Sequence, residues 1–167
     1  MKSLKLLLLL LVLFSCQKEE VEIFEKGKQE NGFCKAKKNG KKWEASTDAF
    51  FFKNENLLYI SVNTYSEDAS PRELLVLSST LSIGKTVLKN EELTGYLRLE
   101  ADGDLSISLY DLDTEEENYI EIEKFNTEEK TAEGSFCLHF KKNTGPESYP
   151  AKVRFTKGCF EVKYKEL

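Results

Sequence analysis

The sequence predicts an all-β protein, a single antiparallel β-sandwich or partly closed barrel of roughly 10–12 short strands behind a signal peptide and a flexible tether. Three observations lead there. Apolar and polar residues alternate in short runs at steps of about 8–12 residues, separated by Gly, Asn, Asp or Pro. Asn39-Gly40 stands between two such runs, and an Asn-Gly pair is the strongest short hairpin signal because both central positions of a type I′ turn need positive φ. No segment after residue 20 sustains a helical period, and no fixed-length repeat is present.

The chain has 167 residues and opens on a leader. Lys2 and Lys5 give it a positive start, Leu6 to Phe14 is an unbroken apolar run of nine, and Ser15 precedes Cys16. As a helix that run rises about 13 Å, less than half of a ~30 Å hydrocarbon core, which excludes a permanent span. A positive n-region, a short apolar h-region and a small residue before the cut make a secretory signal peptide.

Leu13-Phe14-Ser15-Cys16 resembles the lipobox of bacterial lipoproteins, with a leucine three before the cysteine and a small residue just before it. Phe14 departs from it, being larger than the usual residue there. The resemblance implies a diacylglycerol on the Cys16 sulfur, cleavage before Cys16 and acylation of the new amine. Two or more such chains hold stably in a bilayer, each buried methylene contributing about 0.8 kcal/mol. Cys16-Gln17-Lys18-Glu19-Glu20 resembles the export signal of Bacteroidota lipoproteins, a lysine and two acids just after the lipidated cysteine. Lys18, Glu19 and Glu20 then imply transfer to the outer face of the outer membrane, the periplasmic leaflet being the alternative.

Loss of residues 1–15 leaves 152, which suits one domain with a real core plus a tether. Residues 16–31 are the lipidated cysteine and a charged tether; residues 32–167 are the β domain. The tether spans roughly 20 Å as a coil and at most about 50 Å stretched. The formal net charge of −5 becomes −7 once Lys2 and Lys5 are removed, a poor fit to nucleic acid.

Folding about Asn39-Gly40 pairs Lys38 with Lys41, Lys37 with Lys42, Ala36 with Trp43 and Cys34 with Ala45. One face is then Cys34, Ala36, Trp43 and Ala45, and the other Lys35, Lys37, Lys42 and Glu44. Next, Leu58, Ile60 and Val62 share a face. The run ELLVLSS is nearly all apolar and reads as a central strand. GYLRLEA carries Leu97 and Leu99. DLSISLY sets Leu105, Ile107 and Leu109 against Ser106, Ser108 and Tyr110, and YIEIEKF sets Ile120 and Ile122 against Glu121 and Glu123. AEGSFCLHF follows, then AKVRF and CFEVKY, read as a hairpin about Lys157-Gly158 with Phe155 opposite Phe160 and Val153 opposite Val162.

Three cysteines remain once Cys16 is lipidated, enough for one intramolecular bond. Cys137 points away from Phe136, Leu138 and Phe140, and Cys159 points away from Phe160, Val162 and Tyr164. Parity therefore favours Cys137–Cys159 for a bond if one forms, and leaves Cys34, in register with Ala36, as a buried thiol.

KAKKNGKKWEA, YIEIEKFNTEEKTAEGSFCLHF and VRFTKGCFEVKY together resemble a domain of unknown function in Bacteroidota lipoproteins. Its members pair an early A-x-x-N-G-x-x-W hairpin with I-x-I-x-x-[FY]-[DN]…G-x-F-x-F and a closing T-x-G-x-F-x-V. The resemblance covers most of residues 33–165 and implies a β-rich exported lipoprotein. It implies no activity and no catalytic residues.

Each candidate for chemistry has an ordinary reading beside it. His139 is the single histidine, two residues from Cys137, and a zinc site wants three or four ligands at recognisable spacing. Ser82-Ile83-Gly84-Lys85-Thr86 ends like a phosphate loop, yet Ser79 stands where that loop needs glycine. The acids at 102–104 and 111–117 lack a calcium loop's pattern and read as solvated turns. Lys35, Lys37, Lys38, Lys41 and Lys42 could meet phosphate or acidic sugar; the plainer reading is a hairpin whose lysines discourage edge pairing. The expected function is a non-enzymatic surface module, bound to the bilayer through acylated Cys16 and meeting a glycan or envelope protein. It needs no cofactor or metal and takes no nucleic acid. The alternatives are a β-barrel carrier of a small apolar ligand, or an extracellular hydrolase using carboxylates such as Asp111 or Glu121.

Overall fold

The computed structural model describes residues 32–64, 72–89, 95–99 and 105–167. They form ten strands: β1 (Gly32–Lys38), β2 (Lys41–Phe52), β3 (Leu57–Thr64), β4 (Arg72–Thr80), β5 (Gly84–Val87), β6 (Gly95–Leu99), β7 (Ser106–Leu112), β8 (Tyr119–Asn126), β9 (Thr131–Thr144) and β10 (Lys152–Glu166). The described residues hold no α-helix, only a 3-10 turn at Lys53–Glu55.

Hydrogen bonding runs through β1, β2, β3, β4, β6, β7, β9 and β10 and returns to β1, so eight strands close a ring. The ring is not a regular barrel, because one edge of β9 serves two strands. Its later half pairs with β7, from Leu112 opposite Phe140 to Leu109 opposite Thr144. Its earlier half pairs with β8, and β5 adds to the far side of β8. The expected all-antiparallel pairing has one exception. Tyr164 to Glu166 of β10 run parallel to Ala49 to Phe51 of β2, beyond the point where β1 begins between them.

The first hairpin has the expected register, with Ala36 opposite Trp43 and Cys34 opposite Ala45. Asn39 and Gly40 take φ of 49° and 80°, as the turn requires. Leu58, Ile60, Val62, Ile120 and Ile122 are buried as alternation predicts.

Two expectations are corrected. Lys157-Gly158 does not turn the chain: β10 is one strand of 15 residues with a bulge between Phe155 and Gly158. Phe155 lies opposite Leu138 and Phe160 opposite Gly134. A positive-φ residue followed by glycine serves a bulge as well as a turn, Lys157 has φ 52°, and the long β9 supplies a partner throughout. In β7 the buried face is Ser108, Tyr110 and Leu112, while Leu105 and Leu109 are exposed. Tyr110 wins the inward parity because its ring packs 5.1 Å from that of Tyr96 and its hydroxyl donates to the Pro150 carbonyl at 3.1 Å.

The Gly-x-Phe runs of β9 and β10 have a joint physical meaning. Gly134 lies opposite Phe160, and Gly158 lies opposite Phe136. A Cβ on Gly134 would sit 2.6 Å from the Phe160 ring, and one on Gly158 would sit 2.6 Å from the Phe136 ring. Each phenylalanine thus lies across the glycine of the other strand, and both rings are buried. The interior is a packed core of side chains, with Tyr96, Tyr110, Phe136, Phe140 and Phe155 fully enclosed.

Candidate functional site

The chemistry of the described residues gathers at the end of the ring that holds the Asn39-Gly40 turn. Two charged side chains there point inward. Lys38 continues the buried parity of Cys34 and Ala36, and Glu73 continues that of Leu75 and Leu77. They meet as an ion pair, with side chains 16% and 11% exposed. Lys38 Nζ also donates to the Tyr96 hydroxyl at 2.8 Å, and Trp43 Nε1 donates to the second Glu73 oxygen at 2.8 Å. Burial alone would raise the Glu73 carboxyl; the Lys38 charge and hydrogen bonds from Lys38, Trp43 and Tyr96 outweigh it and hold the group below its ordinary range. A carboxylate so saturated with donors is stabilised in its ionised form and has little capacity left as a base. Parity could have revealed this cluster in the sequence, since each charge sits at the next inward position of an apolar run.

The acid-rich stretch after β7 folds around Asn118, which is fully buried. Its Nδ2 donates to the carbonyls of Asp113 at 2.8 Å and Glu116 at 3.0 Å, and its Oδ1 accepts from the His139 amide at 2.7 Å. Asp113 accepts from Lys152 Nζ at 2.8 Å, and that bond outweighs desolvation and lowers its carboxyl. Glu116 faces Arg154 at 3.4 Å. These acids therefore face lysine, arginine and backbone rather than a cation site. His139 lies above them, its Nδ1 3.2 Å from the Glu117 carbonyl. Among the described residues no three His, Cys, Asp or Glu side chains gather as a metal site.

The remaining candidates separate. Gly84-Lys85-Thr86 is part of strand β5, with Lys85 bonded to Glu117 at 2.6 Å and lying 4.0 Å over the Tyr119 ring. Asp111 and Glu121 face positions 141 and 135 of β9, six residues apart, or about 20 Å along that strand. Two cooperating glycosidase carboxylates stand about 5–9.5 Å apart.

Cys137 and Cys159 are half-buried on the outer side of the sheet, and the pair that parity favours if a bond forms is unbonded in this structure: Cys34, Cys137 and Cys159 are free thiols. Register explains it. Cys159 lies opposite Ser135, which leaves Cys137 on the diagonal, and diagonal neighbours lie about 7–8 Å apart, beyond disulfide reach. Desolvation raises all three thiols above their ordinary value, Cys34 furthest, so none is prepared as a nucleophile. Cys16, Lys18, Glu19, Glu20 and the acids at 102–104 lie outside the described residues.

On the outer side of the same end, β1, β2, β9 and β10 present cations in opposed pairs. Lys37 lies opposite Lys42, and Lys141 opposite Lys152. Compared with protein families, with curated proteins and with solved structures, the chain matches none of them.

Proposed function

We propose that the chain is a membrane-anchored cell-envelope lipoprotein whose β domain is a non-catalytic binding or structural module displayed at the outer membrane surface. The observation on which this rests is the run Leu13-Phe14-Ser15-Cys16 followed by Lys18-Glu19-Glu20. An apolar run too short to span, ending at a lipidatable cysteine, gives an anchor; an acidic mature chain suits a domain held beside an anionic membrane without adhering to it. The interior filled by five enclosed aromatic rings weighs against a carrier. The separation of Asp111 from Glu121 weighs against a hydrolase built on those two acids.

The test has two arms. Cells fed an alkyne-tagged fatty acid incorporate label into the wild-type chain and none into Cys16→Ala. An external protease that cannot cross the outer membrane removes the wild-type domain and spares a Lys18→Ala/Glu19→Ala/Glu20→Ala variant. Absence of label on the wild type refutes the anchor. Protection of both chains from protease refutes surface display and places the domain in the periplasm.

A further inference from the structure

The ring has two unlike outer walls. Along the first hairpin the outward positions are charged, as at Lys35, Lys42 and Glu44. Across the ring they are apolar. β4 turns Glu73, Leu75, Leu77 and Ser79 inward, so Leu74 and Val76 point out. β7 turns Ser108, Tyr110 and Leu112 inward, so Ile107 and Leu109 point out. Register joins the two strands through β6, where Leu97 lies opposite both Leu74 and Leu109. On β3 the outward Tyr59 lies on the diagonal to Val76.

These side chains are not the underside of the core. The core cluster takes the inward residues of the same strands and leaves Leu74, Val76, Ile107 and Leu109 outside it. Leu109 is 37% exposed, and Leu105, at the foot of β7, is 61% exposed. A sheet with one solvated face ordinarily carries polar residues there, and a contiguous apolar patch marks a contact surface.

Size, charge and reach select what it contacts. From β3 to β7 the wall covers about 200 Å² of sheet, far below the ~800 Å² per partner of a stable dimer. Its outward positions on β4 hold no acid and one cation, Arg72, whose Nη2 donates to Asn63 Oδ1 at 3.3 Å. The outward acid of β7, Asp111, faces Lys141. In a chain of formal net charge −5, the wall is a side on which anionic headgroups meet little repulsion. β6 also stands four strands from β1 in either direction around the ring. A ring of eight strands is about 25 Å across with its side chains, and residues 16–31 reach at most about 50 Å. A chain anchored at Cys16 and entering the domain at Gly32 can therefore lay this far wall on the membrane.

We propose that the outer wall of β4, β6 and β7 docks on the lipid bilayer that holds the chain's own anchor, its aliphatic side chains settling at the headgroup level with Tyr59 at their edge. Amphipathic rings such as tyrosine favour that level, and an apolar face a few ångströms deep in it is held by the area it buries. The proposal rests on the reading of the chain as an anchored lipoprotein. It gives the domain an orientation, with the charged wall of β1 and β10 turned away from the membrane.

The experiment reconstitutes the acylated full chain, purified from cells in detergent, into vesicles of phosphatidylethanolamine and phosphatidylglycerol. A fraction of the lipid carries a photoreactive diazirine in its acyl chain, and adducts are mapped by mass spectrometry after illumination. Adducts fall on the peptides of β4 and β7 and not on those of β1 and β10. They persist in added salt, which screens charge but not apolar contact. Leu74→Glu with Leu109→Glu lowers them about tenfold or more. Both positions point outward, so the thermal midpoint of that variant stays within about 4 °C of wild type. A larger fall would show that the chain itself covers the wall, and would overturn the proposal. So would adducts spread evenly around the ring, adducts unchanged in the double variant, or sedimentation showing dimers whose β4 and β7 take no adduct. The same spectra read the acyl groups on Cys16. A chain without them refutes the anchor and the docking with it, whereas an acylated chain without adducts on β4 and β7 refutes the docking alone.

Discussion

The interior is finished in two different ways. Midway along β9 and β10, Phe136 and Phe160 each fill the space left by a glycine on the other strand. At the hairpin end the inward positions hold Lys38 and Glu73, joined to each other and to Tyr96 and Trp43. The first solution is apolar and depends on shape: it works only with no Cβ opposite the ring. The second is polar and depends on pairing, and its stability hangs on each partner finding the other. A buried ion pair adds little net stability over apolar residues of the same volume, although breaking it is costly. The same sheet is thus intolerant of volume in one layer and of unpaired charge in the other.

Substitutions sharpen that contrast. Phe160→Ala, which empties a ring from the middle of the core, should destabilise most, by about 3–5 kcal/mol in urea titration. Glu73→Ala strands Lys38 and the Trp43 N–H, and should cost about 2–4 kcal/mol, the lysine recovering part by reaching out to water. Gly158→Ala should cost about 1–3 kcal/mol through overpacking against Phe136. Combining it with Phe136→Leu should recover part of that loss, and a simple sum of the two costs would break the volume argument.

Replacing both members of the ion pair, as Lys38→Met with Glu73→Leu, should come within about 1 kcal/mol of wild type, because the stranded Trp43 N–H offsets the gain from removing two charges. A double variant as unstable as Glu73→Ala would show that the pair is needed for the fold itself. The smallest effect is a pH dependence. The Glu73 carboxyl lies lower in the folded chain than its ordinary value of 4.5. Its contribution is therefore complete above about pH 4.5 and lost as pH falls through the lower folded value. Acid unfolding of wild type should be steeper below pH 4.5 than that of the double variant, and equal slopes would remove Glu73 from the account.

Much of this was legible because β side chains repeat every two residues. Parity and the Asn39-Gly40 turn set the hairpin register, placed Trp43 inside and Cys137 and Cys159 on the outer side, and marked the strands around Ile60 and Ile120. The same parity extends to Lys38 and Glu73, but their charge hid them from that reading, and the structure shows them inward. Parity failed where both faces of a strand were plausible. In β7 three apolar residues alternate with Ser, Ser and Tyr, and the contact between Tyr110 and Tyr96 decided the matter. It failed again at Lys157-Gly158, where a turn and a bulge share one local conformation and the presence of β9 alongside selected the bulge.

The sequence by itself determined the alternation, the turns and the all-β class, since these follow from local backbone geometry and from which residues avoid water. It also holds the lipobox resemblance, a matter of residues read in a row. Tertiary structure alone decided which strands are neighbours: that β1 lies between β2 and β10, that β9 serves both β7 and β8, and that Gly134 meets Phe160. Strand pairing joins residues far apart in the chain, and its energy depends on partners that no local pattern specifies. The hairpin lysines show the consequence. In the sequence they read as guards of an edge, and in the fold they stand on interior strands with like charges opposed.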